Sequence, residues 1–411
     1  MTRVLSVQIA LGILGLGGTV QAIETEARRI HESALVIDGH ADTPQRFLDE
    51  GFDFATDSPV SEGHLDLGKA RAGNLGAEFF SIWVDPKPNA GRFAARALQL
   101  IDSVYQQIAK HPEQLALATG TRDILAARSG TDKRLACLMG LEGGHAIEND
   151  LGMLRDFYRL GVRYMTLTWS NSNEWADSSG DLSDPRVKHH NGLTDFGKQV
   201  VREMNRIGMI VDISHVSDKT FYDVIQVTKA PVIASHSSAR ALTHSARNMT
   251  DEMLKALSTN GGVAMVNFFS GFIDDKFRRA EQAQRPHRIA AINAAVSKLG
   301  LDPSAKYRAR RRVDREWAER IERPPFEALI SHVDHMVKVA GVDHVGIGSD
   351  FDGIPSMPRG IDSAADLPKI TEALLARGYS SEAVHKILGE NLLRVFKSVE
   401  QTSVELGGPL R

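Results

Sequence analysis

Short apolar runs alternate along the chain with amphipathic helical stretches. The runs are Leu35–Asp38, Ala77–Val84, Leu135–Leu141, Tyr164–Trp169, Met209–Ser214, Val232–Ser235, Val263–Phe268 and His344–Ser349. Nearly continuous apolar character over so few residues suits strands covered on both faces. Between the runs, apolar residues recur at three and four spacing over Asp195–Ile207, behind a Thr194/Asp195 cap. Lys219–Val227, Asp251–Leu257 and Phe326–Ala340 show the same periodicity. Strand and helix alternating eight times predict an α/β fold of the (β/α)8 TIM barrel type.

Two stretches interrupt the alternation. A polar loop over 170–193 follows the fourth strand and is long enough to cover a barrel mouth. After the seventh strand, 273–323 carries Arg308, Arg310, Arg311 and Arg312, interleaved with Glu281, Asp314, Glu316, Glu319 and Glu322. The mixed charge predicts a solvated helical insertion, packed beside the mouth or against a second subunit, so that a homodimer is a candidate assembly. The first 22 residues form a separate unit: a basic start at Arg3, an apolar Gly-rich stretch, and small residues at Val20 and Ala22. This is the pattern of a cleaved secretory signal peptide, which leaves 23–411 as one barrel domain with no membrane span and an exported, periplasmic location.

Composition narrows the chemistry. Of 411 residues 42% are hydrophobic and 25% charged, with a formal charge of −3, so no electrostatic case exists for nucleic acid or an anionic membrane. Cys137 is the only cysteine and sits in an apolar run, where a buried inert thiol is expected and no intrachain disulfide can form.

Metal-type side chains follow the apolar runs. His40 and Asp42 come after the first, Glu142 after the third, His215 after the fifth, His236 after the sixth and Asp350 after the eighth. In a parallel barrel all strand C-termini open on one face, so these residues are expected to converge there. His40 and Asp42, two apart, can share one divalent ion. His215 and His236 end neighbouring strands and can hold a second, with Glu142 bridging both through its two oxygens. Glu142 precedes Gly143-Gly144, which permit a sharp turn, whereas the competing His145 has already left the strand. Asp350 is placed to hold the proton of an attacking water, with Asp352 as competitor. Arg247 and Arg240 are equal candidates for pairing with a substrate carboxylate. Phosphoester chemistry is disfavoured because no Lys/Arg pair clusters near these ligands in the sequence.

Taken in order, Asp38-Gly39-His40-x-Asp42, Glu142-Gly143-Gly144, Asp212-x-Ser214-His215-x-Ser217, Ser235-His236-Ser237-Ser238-Ala239 and Gly348-x-Asp350-Phe351-Asp352-Gly353 resemble the renal dipeptidase (membrane dipeptidase) family of binuclear zinc peptidases. The likeness runs from about Ile30 to Phe396. It implies two zinc ions, held by His40 and Asp42 on one side and His215 and His236 on the other, with Glu142 between. It also implies Asp350 as catalytic acid/base, Arg247 rather than Arg240 as the carboxylate anchor, and a small peptide as substrate, with D-configured second residues included. Other amides (a β-lactam, an N-acyl amino acid, a cell-wall fragment) and an inactive metal-binding module are the alternatives. Two positions depart from the family pattern. Leu167-Thr168-Trp169 replaces a Leu-Thr-His pattern whose histidine is thought to contact the scissile carbonyl, which makes Trp169 a substrate-facing candidate, and Phe272 stands where a tyrosine is usual.

Overall fold

The computed structural model describes residues 25–300 and 302–408. The expected signal segment, 1–22, lies outside the described residues. Nine strands form one parallel sheet: β1 (Val36–Ala41), β2 (Leu75–Trp83), β3 (Leu115–Leu117), β4 (Leu135–Glu142), β5 (Val162–Thr166), β6 (Ile210–Asp212), β7 (Ile233–Ala234), β8 (Val263–Val266) and β9 (Val345–Ile347). Their order is β2-β1-β9-β8-β7-β6-β5-β4-β3, and an additional β2–β4 pairing closes eight of them into a barrel. β3 pairs only with β4 and stands outside the closed ring.

The eight barrel strands fall within or beside the eight apolar runs, so the predicted (β/α)8 architecture is the observed one. β3 was not anticipated: Leu115-Ala116-Leu117 is too short an apolar stretch to separate from the end of a helix. Several expected strands also end early. The fifth run extends to Ser214, but β6 stops at Asp212. The cause is local: the Ser214 and Ser235 amides both donate to the Asp212 carboxylate, at 3.0 and 2.9 Å, instead of to a neighbouring strand.

Inside the barrel, Ile37, Phe79, Tyr164, Ile210, Ile233 and Met265 form the inner core. The C-terminal helix Asn391–Glu405 lays Leu392, Val395, Phe396 and Val399 on that core. A larger apolar layer lies between the strands and the surrounding helices. The helices Asp195–Ile207 and Phe326–Ala340 have the bounds their periodicity predicts, and the Thr194 hydroxyl accepts from the Gly197 amide as its cap. The arginine-rich stretch folds as two helices, Asp275–Val296 and Pro303–Ala318, packed on each other beside the barrel mouth. Among the described residues no helix is long and apolar enough to cross a membrane.

One buried acid works against this core. Glu78, on β2 opposite Asp38 of β1, is fully buried. Burial, with Asp38 behind it, pushes its carboxyl well above the usual carboxylate range. The native state therefore keeps a proton that the unfolded chain gives up near the ordinary value. Stability is full below the unfolded pKa and falls as pH rises towards the folded one, at up to about 1.4 kcal/mol per pH unit for one proton. Glu78→Gln removes that dependence, so chemical denaturation between pH 5 and 8 should show the variant gaining on the parent as pH rises. A constant difference between the two would show Glu78 ionised in the native state.

Candidate metal centre

His40 lies within the end of β1 and Glu142 closes β4, rather than following those strands as expected; with Asp42, His215, His236 and Asp350, just beyond β1, β6, β7 and β9, they meet at the C-terminal mouth of the barrel. His40 Nε2 lies 3.8 Å from Asp42 Oδ2 and 3.4 Å from Glu142 Oε2. The other Glu142 oxygen, Oε1, lies 2.9 Å from His215 Nε2 and 3.6 Å from His236 Nε2, and these two nitrogens are 3.0 Å apart. His40, Glu142 and His236 place donor atoms within 4.8 Å of one another, and so do His40, Asp42 and Asp350. One carboxylate thus stands between a His/Asp pair and a His/His pair.

Local backbone explains how each side chain reaches the mouth. Asp42 is the N-cap of the helix Thr43–Asp49, yet it makes no side-chain capping bond, so its carboxylate stays available. Gly143 turns the chain directly after Glu142 at φ +104°, a conformation that favours glycine. His215 and Asp350 are themselves left-handed, at φ +67° and +64°, which turns each away from its strand into the mouth. The loop after β5 holds the first of these: the Ser179 amide, at 2.8 Å, and the Ser178 and Ser179 hydroxyls donate to the His215 carbonyl. A Cβ at Gly353 would fall on the Asp42 and Asp350 carboxylates.

These donors fit divalent cations. His40 Nε2 and Asp42 Oδ1 are buried without a hydrogen-bond partner, which is rare for polar atoms and fits a pair of metal donors. Burial, and after it the charge of Arg247, brings the His215 pKa down to about 4. Burial, His40 and Arg247 hold His236 well below its ordinary value, so both rings are neutral, as ligation requires. Burial would raise the Glu142 pKa, but His40 and His215 outweigh it and keep the carboxylate ionised. His, Asp and Glu donors are the set that suits zinc.

Around the cluster is a cavity of about 300 Å³, lined by Trp83, Trp169, Arg247, Phe269, Phe272 and Asp350 among others. Burial, with Asp42 and Glu142 nearby, raises the Asp350 pKa to about 7 against the opposing charge of His40, and the Asn267 amide donates to its Oδ2 at 2.8 Å. Arg247 hydrogen-bonds Ser237 Oγ at 3.2 Å and the His236 carbonyl at 3.1 Å. Its buried Nε has no partner, and burial lowers its pKa only to about 10, so it remains a cation. Arg240 is spent on a bidentate pair with Asp218, both contacts at 2.7 Å, which separates two arginines the residue pattern alone left level. Trp169 lines the cavity, with ring centres 5.0 Å from Trp83 and 6.3 Å from His215.

The competitors have other duties. His145 Nε2 is bonded to the Val84 carbonyl at 2.9 Å, and its ring meets the edge of Phe93. Asp352 accepts from Thr43 Oγ1 and the His64 amide, each at 2.8 Å, and pairs with Arg311 at 3.2 Å and Arg46 at 3.5 Å. The expectation that no basic cluster stands near the ligands is corrected. The helix Pro303–Ala318 brings Arg310 and Arg311 to the cavity wall, and Arg288 joins them from the preceding helix. Each is matched by carboxylates: Arg310 by Asp85, Arg311 by Glu50 and Asp352, Arg288 by Asp314 and Glu281. The separation of some 35 to 65 residues between these arginines and Arg247 or the last strand hid the convergence. Residues that hold the cluster in place were also missed: Ser81 donates to Glu142 Oε2 at 3.0 Å, and Tyr164 Oη lies 2.7 Å from His40 Nδ1.

The chain is similar to several known proteins. The family model for membrane dipeptidase (peptidase family M19) matches residues 24–408. Human dipeptidase 3 is 32% identical over 393 residues, covering 94% of this chain and 70% of that protein. The crystal structure of the probable dipeptidase PvdM from Pseudomonas aeruginosa superposes with a TM-score of 0.78 at 26% identity, over 93% of this chain and 99% of the other. A metallo peptidase from Rhodobacter sphaeroides, liganded with a phosphinate mimic of the dipeptide L-Ala-D-Ala, gives a TM-score of 0.69 at 25% identity, over 89% of this chain and 99% of the other.

Proposed function

The chain belongs to the membrane dipeptidase family and is therefore a metallo-dipeptidase; from that premise we propose an exported binuclear zinc enzyme that cleaves dipeptides with a free C-terminal carboxylate, D-configured second residues included. The observation that carries this reading is the Glu142 carboxylate between two donor pairs, 3.4 Å from His40 and 2.9 Å from His215. His40 and Asp42 would hold one ion, His215 and His236 the other, and Glu142 both. When bound, such a pair polarises the scissile carbonyl and makes water nucleophilic at neutral pH. Asp350 takes a proton from the attacking water on its free carboxylate oxygen and delivers it to the leaving amine. The Rhodobacter relative's L-Ala-D-Ala mimic supports the D-residue part of the reading. The basic, apolar and small-residue order of Met1 to Ala22 supports export, and N-terminal sequencing of periplasmic protein should begin at Ile23.

Arg247 supplies the length restriction. Arg247 is half-buried and charged, its buried Nε has no partner, and among the described residues no carboxylate pairs with it, so a substrate carboxylate would complete it and a longer C-terminal side would not reach it. A charge-assisted contact contributes about 1.5–3 kcal/mol, so Arg247→Ala should lose about 10- to 100-fold in kcat/KM on free dipeptides. Assays on zinc-loaded enzyme with free and C-terminally amidated dipeptides test this. The amidated substrate should be poor with the parent and lose little more with the variant. Equal losses on both would make the arginine structural, and no turnover of any dipeptide by the parent would overturn the proposed function.

A further inference from the structure

His236 is the one proposed ligand among the described residues whose second ring nitrogen leads to a carboxylate. Its Nδ1 lies 2.8 Å from Ser235 Oγ, and Ser235 Oγ lies 2.6 Å from Asp212 Oδ2. His40 Nδ1 meets the neutral phenol of Tyr164 instead, and His215 Nδ1 has only Ser170 Oγ, at 3.4 Å. Asp212 is fully buried and accepts from four groups: the amides of Ser214 and Ser235 on Oδ1, and the hydroxyls of Thr166, at 2.5 Å, and Ser235 on Oδ2.

Counting protons fixes the direction of this chain. Asp212 accepts from four donors on its two oxygens, so the single Ser235 hydroxyl proton lies on the short bond to Asp212. The Ser235 oxygen then offers His236 only lone pairs, and His236 Nδ1 must donate. A neutral imidazole carries one N–H, so Nε2 is left with its lone pair facing Glu142 and His215.

We infer that Asp212, acting through Ser235, is a positioning residue that sets the His236 tautomer and so keeps Nε2 open to a metal ion. The inference rests on the binuclear reading only for its consequence; the tautomer itself is a property of the metal-free chain. Asp212→Asn tests it sharply. The backbone amides of Ser214 and Ser235 require an acceptor at the Oδ1 position, so the new carboxamide must turn its nitrogen towards Thr166 and Ser235. Ser235 then accepts from that nitrogen, its proton swings to His236 Nδ1, and the ring moves its own proton to Nε2. In a hydrolase triad the same carboxylate-to-amide change leaves geometry intact and lowers turnover by about 10⁴ through the wrong tautomer.

The experiment is 15N NMR of the histidine-labelled, metal-free full chain, with the His236 signals assigned by their loss in His236→Gln. The parent should show a protonated Nδ1 and a bare Nε2, and Asp212→Asn the reverse. In parallel, chelator competition with Zn2+ should show one ion bound about 10- to 100-fold more weakly in Asp212→Asn and in Ser235→Ala. Ser235→Thr, which keeps the hydroxyl, should restore it. A bare Nε2 in Asp212→Asn, or unchanged zinc affinity beside intact thermal unfolding, overturns the inference. A parent with the expected tautomer that binds no zinc overturns the metal reading and leaves the tautomer assignment standing.

Discussion

His215→Ala should purify as a folded barrel that holds one divalent ion where the parent holds two, and should cleave dipeptides about 10³-fold more slowly or worse. The size follows from the several kcal/mol of charge stabilisation that a catalytic ion supplies, at about 1.4 kcal/mol per decade of rate. His215 is the side chain closest to Glu142, at 2.9 Å, and faces His236 across 3.0 Å, so its loss leaves the second position with one histidine and one carboxylate oxygen. The barrel should survive, because the left-handed backbone at this position is held by bonds from Ser178 and Ser179 to the carbonyl, which alanine keeps. Metal analysis by mass spectrometry, beside thermal unfolding and turnover, reads the three outcomes separately. His145→Ala is the matched control. It removes another buried histidine, bonded to the Val84 carbonyl and packed on Phe93. That variant should lose about 1–3 kcal/mol of stability while keeping its metal content. If His215→Ala keeps the parent's stoichiometry and rate, the His215/His236 pair is not a metal position.

Much of this centre is legible in the sequence because barrel geometry converts order along the chain into proximity. Each of His40, Glu142, His215, His236 and Asp350 follows a strand-like run, and parallel strands end on one face whatever the sequence distance between them. Arg240 and Arg247 could not be separated in that way. Both lie in one loop after β7, and only the folded chain shows Asp218 occupying the first and no carboxylate on the second. The insertion shows the opposite limit. Its interleaved charges identified solvated helices, but Arg288, Arg310 and Arg311 reach the cavity through helix packing that no periodicity encodes. The supporting shell was equally hidden. Ser81, Tyr164, Asn267 and Asp212 are single polar residues at or near strand positions, and nothing local separates a second-layer donor from an ordinary buried hydroxyl or amide.

Asp350→Asn should lower kcat by about 10²–10⁴-fold with metal content unchanged, because it removes a proton carrier and little else. The substitution is nearly isosteric, and asparagine accepts the left-handed backbone, φ +64°, that this position requires. Orientation is also fixed. Asn267 Oδ1 accepts from the Phe269 amide at 2.6 Å, so its Nδ2 must donate towards residue 350, and the new carboxamide must present its oxygen there. The nitrogen then occupies the place of the free carboxylate oxygen, where it can neither take a proton from water nor return one to the amine. Metal analysis carries equal weight here, because Asp350 shares a possible ion position with His40 and Asp42. An ion lost in Asp350→Asn would make Asp350 a ligand rather than the acid/base. Asp352→Asn supplies the contrast: it breaks the buried contacts to Arg46, Arg311, Thr43 and the His64 amide, so its main cost should fall on thermal stability. If kcat instead collapses in Asp352→Asn and survives in Asp350→Asn, the proton passes through Asp352, and the raised Asp350 carboxyl has no part in the chemistry.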